Sequence, residues 1–174
     1  INPNSTVSMT DSMLATAHKA CPNIMIQAWT SHDGPAAIQG PEDGEACVPP
    51  LLKLVKKASS NGASVIIIGC FDDTGLNAAR ALATCPVIGI GQAAYHLAVL
   101  TGPRFSVVTT LAVSTPILEH NIKAYGFGAN LAKVRSSGVP VLVLETNVDE
   151  SAKRVLDEIA LAQKDDDIQS VVLG

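Results

Sequence analysis

The stretch Val65-Ile66-Ile67-Ile68-Gly69-Cys70-Phe71-Asp72-Asp73-Thr74-Gly75-Leu76 decides the fold, because it places a cysteine between a predicted strand and a predicted helix. The apolar run from Val65 to Ile68 has no polar alternation, which is typical of a strand buried on both faces of a parallel sheet. Asp72 to Thr74 are good N-cap residues for a helix that continues through Leu76. Cys70 is therefore predicted at the carboxyl end of a strand.

This position favours a chemical role for Cys70. Open parallel sheets bind ligands beyond the carboxyl ends of their strands, and N–H groups at a helix start lower the pKa of a nearby thiol by favouring the thiolate. Such a thiolate could serve as a base or a nucleophile. Two arguments against this role stay open. A free cysteine commonly fills space in a core, and the charges of Asp72 and Asp73 would raise the pKa of the thiol.

The composition favours a folded protein of layered α/β architecture. Of the 174 residues, 47% are apolar, 16% are charged and 3% are aromatic, so the core must consist of aliphatic side chains. That composition suits helices packed on sheets better than a β-sandwich. A net charge of −4 with no run of Lys or Arg excludes a typical nucleic-acid-binding surface. No apolar stretch approaches the length of about 18 residues that a membrane span needs.

The cysteines and histidines lack the spacing of a metal site, and the glycines around residue 90 do not complete a dinucleotide-binding motif. We expect neither a metal ion nor another cofactor. All four cysteines are interpreted as reduced thiols, as in a cytoplasmic protein. All of them except Cys70 are interpreted as structural. The histidines are interpreted as surface or packing residues. The residues concerned are Cys21, Cys47, Cys70, Cys85, His18, His32, His96 and His120.

Other polar residues lie where predicted elements end. Residues 2–6 are predicted as a turn that starts a helix, whose N–H groups could hold an anionic or carbonyl ligand. Residues 24–30 are predicted as a strand, and Pro49 and Pro50 as the N-terminal part of a later helix. Thr109 and Thr110 end a predicted strand much as Cys70 ends its own, and their hydroxyls could bind a substrate. Ordinary capping and strand-end roles are the alternatives for these residues.

Alternating helices and strands, together with one repeated strand, indicate two related halves. The apolar run before Cys70 is matched by Val171-Val172-Leu173-Gly174 at the end of the chain. The first lobe is expected over residues 1–100, completed by residues 163–174 and by residues that follow them. The second lobe is expected over residues 101–162.

Six segments, in order along the whole chain, resemble the Asp/Glu/hydantoin racemase superfamily, and most closely its hydantoin and allantoin racemase branch. The resemblance implies two pseudo-symmetric three-layer α/β lobes with mainly parallel sheets and a cofactor-independent active site at their interface. The segments are Ile1-Asn2-Pro3-Asn4-Ser5, Gly34-Pro35-Ala36-Ala37-Ile38, Ile68-Gly69-Cys70-Phe71-Asp72-Asp73-Thr74-Gly75-Leu76, Pro86-Val87-Ile88-Gly89-Ile90-Gly91, Val108-Thr109-Thr110-Leu111 and Val171-Val172-Leu173-Gly174.

By this resemblance, the protein would racemise a cyclic ureide, hydantoin or allantoin. Two cysteines would flank the stereocentre, one removing the carbon-bound proton and the other returning a proton from the opposite face. Cys70 matches the first cysteine, and the second is expected directly after Gly174. The resemblance further implies that Phe71 forms an apolar wall of the site. It also implies four substrate-binding residues, which are Asn4, Ser5, Thr109 and Thr110.

Two alternatives stay open beside the racemase. One is a decarboxylase or isomerase of the same superfamily that uses a single cysteine, and the other is a non-catalytic small-molecule-binding protein on the same fold. All three take a small molecule as partner rather than a nucleic acid or a membrane. Allantoin as substrate would place the enzyme in purine degradation, and the sequence is compatible with a homo-oligomer.

Overall fold

The computed structural model describes residues 1–174, which form two compact units. Unit 1 comprises residues 1–38 and 42–90, and unit 2 comprises residues 39–41 and 91–174. The expected α/β class is confirmed, because helices alternate with strands that pair in parallel. The expected boundary at residue 100 falls within a helix that belongs almost entirely to unit 2. No helix is both long and apolar enough to cross a membrane.

Unit 1 combines two short parallel strands with three helices. The strands β1 and β2 pair from Ile66 opposite Val87 to Ile68 opposite Gly89. Aliphatic side chains from α2, β1 and α3 form most of its core, with the Cys47 side chain fully buried among them. The elements in chain order are α1 (Val7–Ala20), α2 (Pro41–Ser60), β1 (Ile66–Ile68), α3 (Leu76–Leu82) and β2 (Val87–Gly89).

Strand β1 is not buried on both faces, as its apolar run had predicted. Ile66 and Ile68 are buried, whereas Ile67 is 49% exposed and Ile88, its partner on β2, is 41% exposed. The helices of unit 1 therefore leave one face of this sheet open. An unbroken apolar run indicates that both faces are apolar, but it does not show which elements cover them.

Two further predictions for unit 1 were wrong. Residues 24–30 form no regular strand, since only Thr30 makes an isolated parallel bridge with Asn2. The backbone bonds of this pairing are confined to its end, where the Asn2 N–H donates to the Trp29 carbonyl and the Ser31 N–H donates to the Asn2 carbonyl, so residues 24–28 pair with no strand. The second error concerns α2, which begins at Pro41 and thus holds Pro49 and Pro50 in its interior.

Unit 2 is built on a three-stranded parallel sheet in the order β4–β3–β5. All five residues of the central strand β3 are buried. The ring of Tyr95 stacks on that of Phe105 with centroids 5.9 Å apart, which anchors α4 to the sheet. The elements are α4 (Ile90–Thr101), β3 (Phe105–Thr109), α5 (Thr115–Ala124), β4 (Leu131–Ser136), α6 (Val143–Thr146), α7 (Val148–Asp165) and β5 (Ser170–Leu173).

Strand β5 belongs to unit 2, so the assignment of residues 163–174 to the first lobe was wrong. Its residues pair with β3 from Ser170 opposite Phe105 to Leu173 opposite Val108. The physical reason is the course of α7, which packs against β3 and β4 and brings the chain to the free edge of β3. The repeated apolar strand identified in the sequence therefore lies beside Thr109.

A buried ion pair fastens the end of α7 to the sheet of unit 2. Arg135 on β4 donates from Nε and Nη2 to the two carboxylate oxygens of Asp166, at 2.7 and 2.6 Å. The Ser106 hydroxyl on β3 donates to the same carboxylate at 2.7 Å. The Arg135 and Asp166 side chains are only 9% and 6% exposed. The hydrogen bonds from Arg135 hold the pKa of the Asp166 carboxyl well below its usual range.

Candidate functional site

Cys70 follows the end of β1, as predicted, and lies beside the N-terminal segment of the chain. The Gly69 N–H donates to the Ile1 carbonyl at 2.9 Å, and the Ile1 nitrogen donates to the Ile67 carbonyl at 2.7 Å. On the other side of this segment, the Asn2 N–H donates to the Trp29 carbonyl at 2.8 Å. Since these segments run parallel, the residues that follow them meet at one edge of unit 1, where α/β proteins place ligands.

Asn2 organises the turn at this edge. Its side chain is buried, and Nδ2 lies 2.8 Å from Asn4 Oδ1, 3.0 Å from Thr10 Oγ1 and 3.1 Å from the Thr6 carbonyl oxygen. Its Oδ1 accepts a hydrogen bond from the Asn4 N–H at 3.1 Å. Asn2 was not among the predicted site residues. The sequence signal was the pair of asparagines around Pro3, because an Asn side chain commonly bonds the backbone two residues on.

Asn4 and Ser5, both predicted to bind substrate, are held in place by bonds within unit 1. Asn4 is largely buried, and its Oδ1 accepts from the Thr6 N–H at 3.0 Å. The N–H and the hydroxyl of Ser5 donate to the Pro35 carbonyl at 2.8 and 3.2 Å. A Cβ on Gly34 would lie 2.6 Å from the Pro3 carbonyl oxygen, so only glycine fits there. The segments Ile1–Ser5 and Gly34–Ile38, both quoted for the family resemblance, are thus packed against each other.

We expect Asn2→Ala to lower the free energy of unfolding by about 1–3 kcal/mol, because Asn4 and Thr10 lose a buried hydrogen-bond partner. The measurement is urea-induced unfolding followed by the fluorescence of Trp29, which lies in the adjacent segment. Asn23→Ala is the matched control, since Asn23 is exposed. Equal midpoints for the two variants would contradict the role of Asn2.

The loop after Cys70 does not start a helix at once. The Asp73 N–H donates to the Cys70 carbonyl at 3.0 Å, and Asp73 has a φ of +50°. Helix α3 begins only after Gly75, whose φ of +74° is left-handed, and no side chain caps it. The capping role predicted for Asp72 to Thr74 was therefore wrong. Two left-handed residues delay the helix, and Asp72 and Asp73 are buried within the loop instead.

Of the two opposite effects expected on the pKa of the Cys70 thiol, lowering by a helix start was wrong, since no helix begins next to it, and raising by a neighbouring aspartate is present. Burial raises the pKa of Cys70 to about 11, and the charge of Asp72 contributes to the increase. The Thr74 hydroxyl, 3.7 Å from the Cys70 Sγ, acts in the opposite direction by bonding the thiolate. At neutral pH, Cys70 is therefore present mainly as the thiol, which is the proton-donating form.

Cys47 of α2 shares this environment with Cys70. Its side chain is fully buried, and its Sγ donates to the Gly44 carbonyl at 3.2 Å. Burial and the charge of a Cys70 thiolate together raise the pKa of Cys47 to about 12. Cys47 was interpreted from the sequence as a structural thiol, and its nearness to Cys70 was not anticipated. The only available signal was its position one helical turn before Leu51 on the apolar face of α2.

We expect Asp72→Asn to speed the alkylation of Cys70 by iodoacetamide at pH 8, because loss of the carboxylate lowers the pKa of the thiol. Thr74→Val should slow alkylation, since the thiolate loses a hydrogen bond. In the unmodified protein, the rate should rise about tenfold per pH unit up to about pH 11. Mass spectrometry of the peptide that contains Cys70 measures the rate separately from the other thiols. Rates in the reverse order would rule out this account of the pKa.

Thr109 and Thr110 lie at the corresponding edge of unit 2. The Gly174 N–H donates to the Val108 carbonyl at 3.0 Å, and the Ser137 N–H donates to the Thr109 carbonyl at 2.8 Å. The ends of β3, β4 and β5 therefore meet there. The buried Ser137 hydroxyl lies 3.3 and 3.4 Å from the carbonyl oxygens of Thr109 and Thr110. Ser137 was not predicted as a site residue, and its signal was the Ser-Ser-Gly sequence at the end of β4.

A cavity of about 300 Å³ opens at this edge of unit 2. Threonine and serine residues at the strand ends form one part of its wall, and aliphatic residues of β3, β5, α6 and α7 form the rest. The aliphatic residues are Val108, Leu144, Val155 and Leu173.

The predicted site residues thus fall into two sets, each at the carboxyl ends of the strands of its own unit. Asn4, Ser5, Cys70 and the half-buried Phe71 belong to unit 1, and Thr109 and Thr110 belong to unit 2. The structure contains no group of three or more His, Cys, Asp or Glu side chains that could hold a metal ion.

Comparison with known proteins shows similarity along the whole chain. Residues 1–174 match the family model described as Asp/Glu/Hydantoin racemase. The sequence is 40% identical over 178 residues to a hydantoin racemase of Rhizobium meliloti, in an alignment that covers 100% of this chain and 73% of that protein.

The structure is similar to two solved structures. An allantoin racemase from Klebsiella pneumoniae gives a TM-score of 0.95 at 35% identity, covering 99% of this chain and 71% of that one. An allantoin racemase from Pseudomonas fluorescens gives a TM-score of 0.94 at 27% identity, covering 99% of this chain and 74% of that one.

Proposed function

Because this chain belongs to the Asp/Glu/hydantoin racemase family and is a racemase-type enzyme, we propose that it racemises a cyclic ureide, hydantoin or allantoin. The reaction uses no cofactor and inverts the ring carbon that lies next to a carbonyl group. The observation that carries the proposal is the position of Cys70 at the carboxyl end of β1, beside the turn organised by Asn2.

Cys70 acts as one of two bases. Its thiolate removes the proton from the ring carbon, and the electron pair of the broken C–H bond moves onto the neighbouring carbonyl oxygen to give an enolate. A second thiol, expected directly after Gly174, then donates its proton to the opposite face of the carbon. The carbon is inverted, and the two sulfur atoms have exchanged their protonation states.

The other enantiomer reacts by the same steps in reverse order, with Cys70 as the proton donor. The raised pKa of Cys70 supports this direction, because the thiol that must give up a proton predominates at neutral pH. The Asn2–Ser5 turn and the threonines at the end of β3 serve as substrate-binding segments. Phe71 offers an apolar surface to the ring.

The test is proton exchange in heavy water, using the full-length protein and each enantiomer of allantoin and of 5-methylhydantoin. We expect both enantiomers of a substrate to invert and the inverted product to carry deuterium. With two bases, the substrate recovered early should remain unlabelled, because the donated proton comes from the second thiol. A protein-free control sets the baseline, since these compounds also exchange spontaneously. Unchanged optical rotation of both compounds would overturn the proposal, and binding without exchange would favour a non-catalytic protein.

A further inference from the structure

We propose that Asp73 is a positioning residue for Cys70, because its buried side chain holds the loop that carries the thiol against the end of β2. We call residues 70–75 the thiol loop. The inference rests on the proposed function, since it assigns to Asp73 the placement of the proposed base. Asp72 supplies the charge beside the sulfur, whereas the part assigned to Asp73 is the geometry of the loop.

The side chain of Asp73 contacts the strand next to β1. Asp73 is only 5% exposed, and its carboxylate lies against Gly89, the last residue of β2. A Cβ on Gly89 would overlap Oδ1 of Asp73 and lie 2.6 Å from its Cγ. Gly89 is opposite Ile68 in the pairing of the two strands, two residues before Cys70. The carboxylate therefore connects the thiol loop, which follows β1, to the end of β2.

The surroundings of Gly89 favour an oxygen acceptor at this point. Helix α4 begins directly after Gly89, at Ile90, and its first turn contains no acidic residue. The first N–H groups of a helix lack partners within the helix, and the positive end of the helix dipole favours a carboxylate. A side-chain oxygen of Asp73 therefore suits this position, and the amide oxygen of an asparagine would suit it too.

The backbone of the thiol loop transmits the position of Asp73 to Cys70. The Asp73 N–H donates to the Cys70 carbonyl at 3.0 Å, and the Asp73 carbonyl accepts from the Leu76 N–H at 3.1 Å, so Asp73 joins two consecutive turns. Its φ of +50° is uncommon for a residue other than glycine. Thr74, whose hydroxyl lies 3.7 Å from the Cys70 Sγ, follows directly. A shift of Asp73 therefore moves both the backbone of Cys70 and the hydroxyl beside its sulfur.

The experiment replaces Asp73 by glycine and by asparagine in the full-length protein and measures kcat and KM for the racemisation of 5-methylhydantoin. Glycine keeps the left-handed backbone and removes the side chain, whereas asparagine keeps the size of the side chain and an oxygen. We expect Asp73→Gly to lower kcat by about 10- to 100-fold with KM within about threefold, because misplacing a reacting group by about 1 Å has an effect of this size. Asp73→Asn should stay within about fivefold of the original kcat.

Asp167→Gly is the matched control. Asp167 has the same φ of +50°, but it is exposed and lies in unit 2. Its kcat should stay within about twofold of the original, because no reacting group moves.

Alkylation of Cys70 by iodoacetamide is a second readout that needs no turnover. Without its contact to Gly89, the thiol loop should open more often, so Cys70 should react severalfold faster in Asp73→Gly than in Asp73→Asn at the same pH. Both variants have lost the same charge, so the difference between them reports the position of the loop. Mass spectrometry of the peptide that contains Cys70 measures the rate.

The outcomes separate this inference from the proposed function. Original kcat and alkylation rate in Asp73→Gly would overturn the inference, since the left-handed backbone alone would then suffice. An Asp73→Asn protein as slow as Asp73→Gly would overturn it too, because charge rather than contact would be responsible. Absence of turnover in the original protein would overturn the proposed function, while faster alkylation in Asp73→Gly would still support the placement of the thiol by Asp73. Should Asp73→Gly fail to fold, Asp73→Ser, whose side chain is too short for this contact, replaces it with the same expected loss.

Discussion

Replacing Cys70 by serine is expected to lower kcat/KM for racemisation by about 10²–10⁴-fold, the usual effect of removing a positioned acid or base. Serine keeps the size of the side chain and a hydrogen bond to Thr74. Its hydroxyl, however, does not ionise in the range in which a thiol does, so it can neither take the proton from carbon nor deliver one efficiently. Both enantiomers should be affected equally, because each direction of the reaction passes through Cys70.

The measurement is the initial rate of change in optical rotation, together with deuterium incorporation, for Cys70→Ser and for a matched control. Cys85→Ser is that control, since Cys85 lies in the same unit and is likewise partly buried. It should retain activity within about twofold. A Cys70→Ser protein with the circular dichroism spectrum and nearly the activity of the original would contradict a role of Cys70 in proton transfer and would indicate that it only fills space in the fold.

Asp166→Asn is expected to destabilise the protein by about 3 kcal/mol, because it leaves Arg135 as a buried cation without its bidentate partner. Glu158, with an oxygen 3.6 Å from Arg135 Nη1, compensates in part. The expected loss of stability therefore lies at the lower end of the range found when one partner of a buried ion pair is removed. Urea-induced unfolding followed by circular dichroism measures the change. Asp165→Asn removes the same charge one residue earlier, at a half-exposed side chain 4.0 Å from Arg135, and should cost less than about 1 kcal/mol.

The effect of Asp166 should depend on pH in a defined direction. Its carboxyl pKa is lower in the folded than in the unfolded protein, so its stabilising contribution is complete above the unfolded pKa of about 4. The contribution is lost as the pH falls through the lowered folded pKa. The difference in stability between the original protein and Asp166→Asn should therefore shrink below about pH 4. A difference that stays constant down to pH 2 would show that the carboxylate charge is not responsible.

The position of Cys70 was predictable, whereas its pKa was not. An apolar run that ends at Gly69 indicates a strand end, whatever follows it in the chain. The pKa depends first on how far the thiol is buried and then on where the next helix begins, which is set by the left-handed conformations of Asp73 and Gly75. Aspartate suits both a helix cap and a left-handed turn, so the sequence did not distinguish a thiol beside helix N–H groups from one beside a buried carboxylate.

Long-range contacts account for the other differences. Pairing of β5 with β3 depends on the path of α7, and the core role of Asn2 depends on Thr10 and on the segment around Trp29. Neither is encoded in local periodicity. The resemblance of short segments correctly indicated the family, because those segments surround the strand ends. It did not identify Ser137, whose hydroxyl hydrogen-bonds the backbone carbonyls of Thr109 and Thr110.

A thiol that stays protonated at rest is also protected from oxidation. Peroxides attack the thiolate, which then proceeds to sulfenic acid and on to irreversible products. With a pKa of about 11, only roughly one Cys70 side chain in ten thousand is ionised at pH 7. Burial of the thiol, with the charge of Asp72 beside it, thus keeps the easily oxidised form of Cys70 rare at neutral pH.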